Sequence, residues 1–159
     1  MNMVEYQSVM TAAEQKCLQQ GIRFTKRRKQ VLSVLIEADV ALSAYEIAER
    51  CNAVSDSNMP AMSVYRILDL FQKQNLIHKL EIANKYVCCA HIACSDKHDN
   101  SQFLICGSCR HVEEISLSDD AVQALQSAAS AAGFDAISPQ LEIKGRCSQC
   151  EQSESQAIT

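Results

Sequence analysis

Two C-x2-C pairs, Cys106/Cys109 and Cys147/Cys150, stand 37 residues apart toward the end of the chain. A C-x2-C turn brings two thiolates onto one side of a tight loop, at the separation a tetrahedral ion needs. Two such turns complete a closed four-thiolate shell. Four soft sulfur donors select zinc or iron–sulfur over hard cations. The ion would clamp the residues between the pairs and supply the stability that a domain of about sixty residues lacks. The spacing therefore predicts a structural zinc site at Cys106, Cys109, Cys147 and Cys150. Two unrelated buried pairs, or redox-active cysteines, are the competing readings. Thioredoxin-like pairs open a helix in a βαβ unit and have no use for a second pair.

The remaining composition fits that reading. Nine cysteines in 159 residues is an odd number, which argues against a fully paired disulfide framework. The first twenty residues, MNMVEYQSVMTAAEQKCLQQ, mix charge and amide and lack an apolar core segment, so secretion is not expected. No apolar run approaches the roughly 18 residues of a membrane span. A cytoplasmic location without membrane association is expected, where clustered cysteine points to metal. The formal charge of −4 is unevenly divided. Residues 1–83 carry ten Lys/Arg against nine Asp/Glu, and residues 84–159 carry five against ten. An acidic chain divided in this way does not exclude nucleic acid as a partner.

The first half reads as short helices ending in a hairpin. A helix over Val9 to Gln20 stops at Gly21, and a second follows Thr25 as N-cap. A third opens on the capping box Ser43-Ala44-Tyr45-Glu46. A fourth follows Pro60, beginning near Ser63, with an apolar stripe of Val64, Ile67, Leu68 and Phe71. Arg66, Asp69 and Lys73 then face away, with Tyr65 on the shoulder. Extended runs Ile77 to Glu81 and Lys85 to Cys89 form the hairpin, and this order is that of a winged helix. Residues 90–100, AHIACSDKHDN, read as a linker. Beyond it, strands at Phe103 to Ile105, Val112 to Ile115 and Gln140 to Lys144 surround a helix between Ser118 and Gly133.

Lys26, Arg27, Arg28 and Lys29 crowd a helix first turn, where the macrodipole disfavours cations. Phosphates near that turn, with Arg23 beside it, would account for them. Ser63, Tyr65 and Arg66 lie near the start of the fourth helix, where helix-turn-helix proteins meet base edges and phosphates. Arg66 can pair bidentately with guanine, and Tyr65 can donate to phosphate or pack on a thymine methyl. Tyr45 is a second aromatic at a helix start. A mixed-ligand metal site can be drawn from His78, Cys88, Cys89, His91, Cys94, His98, His111, Glu113 and Glu114. Periodicity does not choose between Cys88 and Cys89, which point to opposite faces of a strand. Cys17 and Cys51 stand alone on helices and read as packing residues. No H-E-x-x-H occurs, nor H-x-E paired with P-C-x-x-C, so an enzyme is not expected.

The segments MSVYRILDLFQKQNLIHKLE, NKYVCC, FLICGSCRHVEE and CSQC together resemble the ferric uptake regulator superfamily, and within it the zinc uptake regulators. The resemblance runs from about residue 9 to 151. It implies an α+β chain: a winged-helix DNA-binding domain over 1–89, a hinge over 90–100 and a dimerisation domain over 101–152; the polar composition of the last residues reads as a disordered tail over 153–159. The resemblance also implies structural zinc at the four paired cysteines and regulatory zinc at His78, Cys89, His98 and Glu114, hence two Zn2+ per chain. Cys89 follows from aligning YVCC with the family's wing strand, and His91 competes with His98. DNA-facing residues by the same likeness are Tyr45, Tyr65 and Arg66. Iron- and peroxide-sensing relatives carry an H-H-x-H cluster where this chain has HIACSDKHDNSQ, a departure that favours zinc. The expected function is a dimeric, zinc-responsive repressor of zinc-uptake genes that binds operator DNA. The alternatives are an iron, manganese or peroxide sensor of the same superfamily, or a zinc-binding thiol-redox protein.

Overall fold

The computed structural model describes residues 3–38, 40–54, 58–93, 101–135 and 140–151. The chain divides into two compact units, Met1–Asp96 and Lys97–Thr159. His98, Cys94 and the expected tail over 153–159 lie outside the described residues.

The first unit holds four helices and a hairpin: α1 (Met3–Gln19), α2 (Lys26–Glu37), α3 (Ala44–Ala53), α4 (Ala61–Lys73), β1 (Ile77–Leu80) and β2 (Lys85–Cys88). The first helix begins six residues before the expected Val9. Its start has no capping signature, and a tertiary contact holds the extension, in which Tyr6 Oη donates to Ser33 Oγ of α2 at 2.9 Å. The second helix is capped as predicted, with Thr25 Oγ1 accepting from Arg28 N–H. The strands β1 and β2 pair antiparallel, with Ile77 opposite Cys88 and His78 opposite Val87. A bridge between Leu42 and Tyr86 ties the segment before α3 to the hairpin, with N–H···O distances of 3.0 and 2.7 Å. Val31, Leu32, Leu35, Ile47, Val64, Leu68, Phe71, Leu76 and Ile77 form one buried core. Ile92, in the segment expected as linker, is buried in that same core.

The capping box at the start of α3 does more than begin a helix. Ser43 Oγ accepts from Glu46 N–H at 3.2 Å, and Glu46 Oε2 accepts from Ser43 N–H at 2.6 Å. Lys85 Nζ of the hairpin then reaches both carboxylate oxygens, at 3.1 and 3.0 Å. One carboxylate thus caps α3 and anchors the hairpin beside it. The Ser43 amide, helped by the Ser43 hydroxyl and by Lys85, lowers the Glu46 pKa to about 2.

The second unit contains β3 (Ser101–Cys106), β4 (Val112–Ser116), α5 (Asp119–Ala131) and β5 (Glu142–Gly145). The sheet order is β4-β3-β5, antiparallel between β3 and β4 and parallel between β3 and β5. Parallel pairing requires a crossover, and α5 lies within it. Ser118 Oγ caps α5 by accepting from Ala121 N–H, and Gly133 follows its end at φ 81°, where glycine carries no Cβ penalty. Among the described residues this unit buries only Phe103, Cys106 and Val122 of its apolar side chains. No helix among the described residues is long and apolar enough to cross a membrane.

All four tyrosines (Tyr6, Tyr45, Tyr65 and Tyr86) belong to the first unit and the chain has no tryptophan, so tyrosine fluorescence reports that unit. Replacing Glu46 by glutamine removes the charged cap and the Lys85 pair, which is expected to lower stability by about 1 kcal/mol at neutral pH. The folded-state pKa is depressed, so the carboxylate stabilises above its ordinary value near 4.5 and the benefit is lost as pH falls toward 2. Denaturant midpoints read by tyrosine fluorescence should therefore separate wild type from Glu46→Gln at pH 7 and converge as pH falls through that window.

Candidate metal centres and nucleic-acid interface

The four paired cysteines converge. The sulfur atoms of Cys106, Cys109, Cys147 and Cys150 all lie within 4.8 Å of one another. A tetrahedral zinc with bonds of about 2.3 Å places its sulfurs about 3.8 Å apart, and Cys109 Sγ stands 3.6 Å from Cys147 Sγ. The donor set and its spacing therefore fit zinc. Backbone geometry produces this convergence. Cys106 ends β3, and the first turn closes through Arg110 N–H to Cys106 O at 3.0 Å, with Arg110 in the left-handed region at φ 63°. The second turn closes through Cys150 N–H to Cys147 O at 3.0 Å. The parallel pairing of Cys106 with Gly145 sets the two turns side by side.

The electrostatics prepare the site for a cation. The Cys147 amide donates to Cys106 Sγ at 3.4 Å, and the Cys109 and Ser108 amides add to it. Together they pull the Cys106 pKa down to about 5. Cys150 moves the other way, to about 12, because hydrogen bonds with Cys109 and Cys147 retain its proton. Thiolate is the ligand form, so a cation entering this cluster would displace the remaining thiol protons and would bind less tightly as pH falls.

The remaining cysteines separate by environment. Cys17 and Cys51 are fully buried in the helical core, as expected of packing residues. Burial raises the pKa of both thiols, that of Cys51 to about 11. The hairpin register distinguishes Cys88 from Cys89. His78 is opposite Val87, and side chains two apart along a strand share a face, so Cys89 lies on the His78 side while Cys88 lies on the Ile77 side. Cys89 sits one residue past β2 rather than inside it, held by its N–H to Leu76 O at 3.0 Å. Its sulfur is buried, and a His78 ring nitrogen lies within 4.8 Å. In the second unit, Glu114 of β4 accepts from Ser101 Oγ at 2.6 Å. His111 is exposed and His91 half-buried.

The helix after Pro60 presents its predicted faces. Val64, Leu68 and Phe71 are buried, and Arg66 and Asp69 are exposed. Ser63 and Tyr65 are half-buried. Tyr45, at the start of α3, keeps 68 % of its surface exposed and meets the Tyr65 ring edge-on at 6.2 Å. The two aromatic candidates therefore form one pair. Within the basic turn, Arg23, Lys26 and Arg27 are exposed. Arg28 donates back to Arg23 O through its guanidinium, and Lys29 pairs with Glu14 at 2.9 Å above the Phe24 ring.

Asn52 escaped the sequence reading. Its side chain grips the residue before Pro60 from both sides, accepting from Met59 N–H at 2.7 Å and donating to Met59 O at 3.2 Å. Gln30 Nε2 of α2 donates to the neighbouring Cys51 O at 2.6 Å. The pair of bonds fixes where α4 begins, and an asparagine near a helix C-terminus gave no signal for it.

The ferric uptake regulator family model matches residues 19–144. The chain belongs to this family. It is 30% identical over 148 residues to the zinc uptake regulation protein of Escherichia coli K12, covering 93% of this chain and 84% of that protein. It is similar to a solved zinc uptake regulator complexed with zinc and DNA, with a TM-score of 0.83 and 27% identity over 98% of this chain and 99% of that one. It is also similar to holo XcZur, with a TM-score of 0.73 and 32% identity over 90% of this chain and 96% of that one. Family membership places the chain among regulators rather than enzymes.

Replacing Cys106 by serine should remove about one zinc per chain and unfold the second unit. A structural zinc is worth about 10–16 kcal/mol in small domains, comparable to or above the whole stability of most domains. Metal analysis with hydrogen exchange on the β3 and β5 amides checks this, and full zinc content with a protected sheet would contradict it.

Proposed function

We propose that this chain is a zinc-responsive transcriptional repressor that acts in the cytoplasm as a homodimer on double-stranded operator DNA and controls zinc-uptake genes. The observation that carries the reading is the buried Cys89 sulfur beside His78, on one face of a hairpin belonging to a helical DNA-binding unit. Two zinc ions per chain are proposed. One is held by Cys106, Cys109, Cys147 and Cys150, and the regulatory one by His78, Cys89, His98 and Glu114. Zinc supplies a tetrahedral centre that two nitrogens, one oxygen and one thiolate satisfy.

The proposed regulatory ligands come from both units of the chain. When all four are engaged, the orientations open to the winged helices are restricted. The two winged helices of a dimer then meet major-groove half-sites one helical turn, or a multiple, apart. With the ligands disengaged, only a small fraction of orientations suits the operator, and apparent affinity falls by that fraction. A hundredfold difference needs only about 2.7 kcal/mol of coupling, within the ordinary range. Dimerisation is supported by α5, which among the described residues buries only Val122 and leaves Leu125 exposed, with Phe134 exposed just beyond it. We assign Tyr45, Ser63, Tyr65 and Arg66 to base and backbone contacts, and Arg23, Lys26, Arg27 and Arg28 to phosphates.

Two substitutions test the reading. Cys89→Ser should stay folded with its four-cysteine zinc but lose zinc-dependent operator binding by about two orders of magnitude. Operator binding against buffered free zinc checks this, and unchanged activation would remove Cys89 from the site. Arg66→Ala should weaken specific binding by about 1–3 kcal/mol while non-specific binding changes little. An equal loss on all sequences would make Arg66 a phosphate contact instead.

A further inference from the structure

The outward face of α4 carries an apolar residue that neither the core nor charge explains. Met62 stands in the first turn with 65 % of its surface exposed. Residues four apart share a helix face, so Met62 lies one turn before the exposed Arg66, and Asp69 continues that face. The buried stripe of Val64, Leu68 and Phe71 runs along the other side. Met62 adds no burial to the core, and helix propensity alone is met equally well by lysine, glutamine or glutamate. Nearby Tyr65 is half-buried and engaged with the Tyr45 ring.

We propose that Met62 is a specificity-determining residue that packs on the C5-methyl group of a thymine in the major groove, next to the base edge met by Arg66. The proposal rests on the reading of α4 as the helix that enters the groove. The thymine methyl is the apolar element of the major-groove code, and an apolar side chain is what recognises it. Methionine suits the role because its unbranched, polarisable chain adapts to a surface it meets only on binding. Arg66 supplies a bidentate hydrogen-bonding contact but does not distinguish thymine from its methyl-free analogue. Met62 would add that discrimination one turn away.

The test uses duplexes enriched from a random pool by the zinc-loaded wild-type chain, with each thymine replaced in turn by deoxyuridine, which lacks only the methyl. At one thymine per half-site the replacement should weaken wild-type binding about fourfold, the effect of one buried methyl-sized group. Met62→Ala, which removes the contact from both half-sites of the dimer, should weaken binding to the parent duplex by about the square of that factor, about sixteenfold, and be indifferent to deoxyuridine at that position. Met62→Leu should keep the sensitivity. Zinc content, thermal midpoint and affinity for a scrambled duplex should match wild type in both variants. Wild-type indifference to every replacement, or a sensitivity that persists in Met62→Ala, overturns the assignment of Met62 and leaves the DNA-binding reading standing. A pool from which the zinc-loaded chain enriches no duplex overturns both.

Discussion

Four sulfur atoms within 4.8 Å of one another are the constraint on which the second unit depends. That unit buries only Phe103, Cys106 and Val122 of its described apolar side chains, too little to offset the conformational entropy of ordering its strands. Its sheet order explains how the constraint is delivered. Parallel pairing of β3 with β5 carries Cys106 to the place where the second cysteine turn begins, and Gly107 N–H to Gly145 O at 2.9 Å continues the pairing past the strand end. A cation held there would close the sheet at its cysteine end and fix both ends of the crossover that contains α5. The two thiols shift in opposite directions because backbone amides hold Cys106 down at about 5 while hydrogen bonds with Cys109 and Cys147 hold Cys150 up at about 12.

The first unit is organised differently, around a continuous apolar core, with side-chain hydrogen bonds that join its elements. Asn52 fixes the residue before α4, Glu46 joins the start of α3 to the hairpin through Lys85, and Tyr45 leans edge-on against Tyr65. The first fixes the backbone of the buried Met59 where α4 begins, the second joins a helix start to the hairpin, and the third orients the exposed Tyr45. The charge is divided along the chain in the same way, since excess acid lies in residues 84–159 while the exposed Arg23, Lys26, Arg27 and Arg66 belong to residues 1–83.

Much of this was legible in the sequence because it depends on short-range rules. The C-x2-C spacing, the Ser43–Glu46 capping box, the apolar stripe of α4 and the strand segments around the cysteine turns each follow from local chemistry. What escaped depended on contacts distant in sequence. The start of α1 rests on Tyr6 reaching Ser33, 27 residues away. Periodicity leaves Cys88 and Cys89 open and only the resemblance names Cys89; their separation onto two faces rests on the register that sets His78 opposite Val87, which alternation along a single strand does not contain. The burial of Ile92 shows the same effect, since a polar, aperiodic segment gave no sign that one isoleucine would return to the core. His98 lies outside the described residues, so its assignment rests on the resemblance alone.

One zinc would hold the second unit together, and a second would control DNA binding. The most direct measurement follows zinc content per chain and operator binding together as buffered free zinc is raised from a chelated start. Two zinc ions per chain are expected, the first bound without affinity for operator, with operator binding that rises in step with the second. Operator binding that is complete at one zinc per chain, or that stays flat while the second zinc loads, would contradict that division of roles.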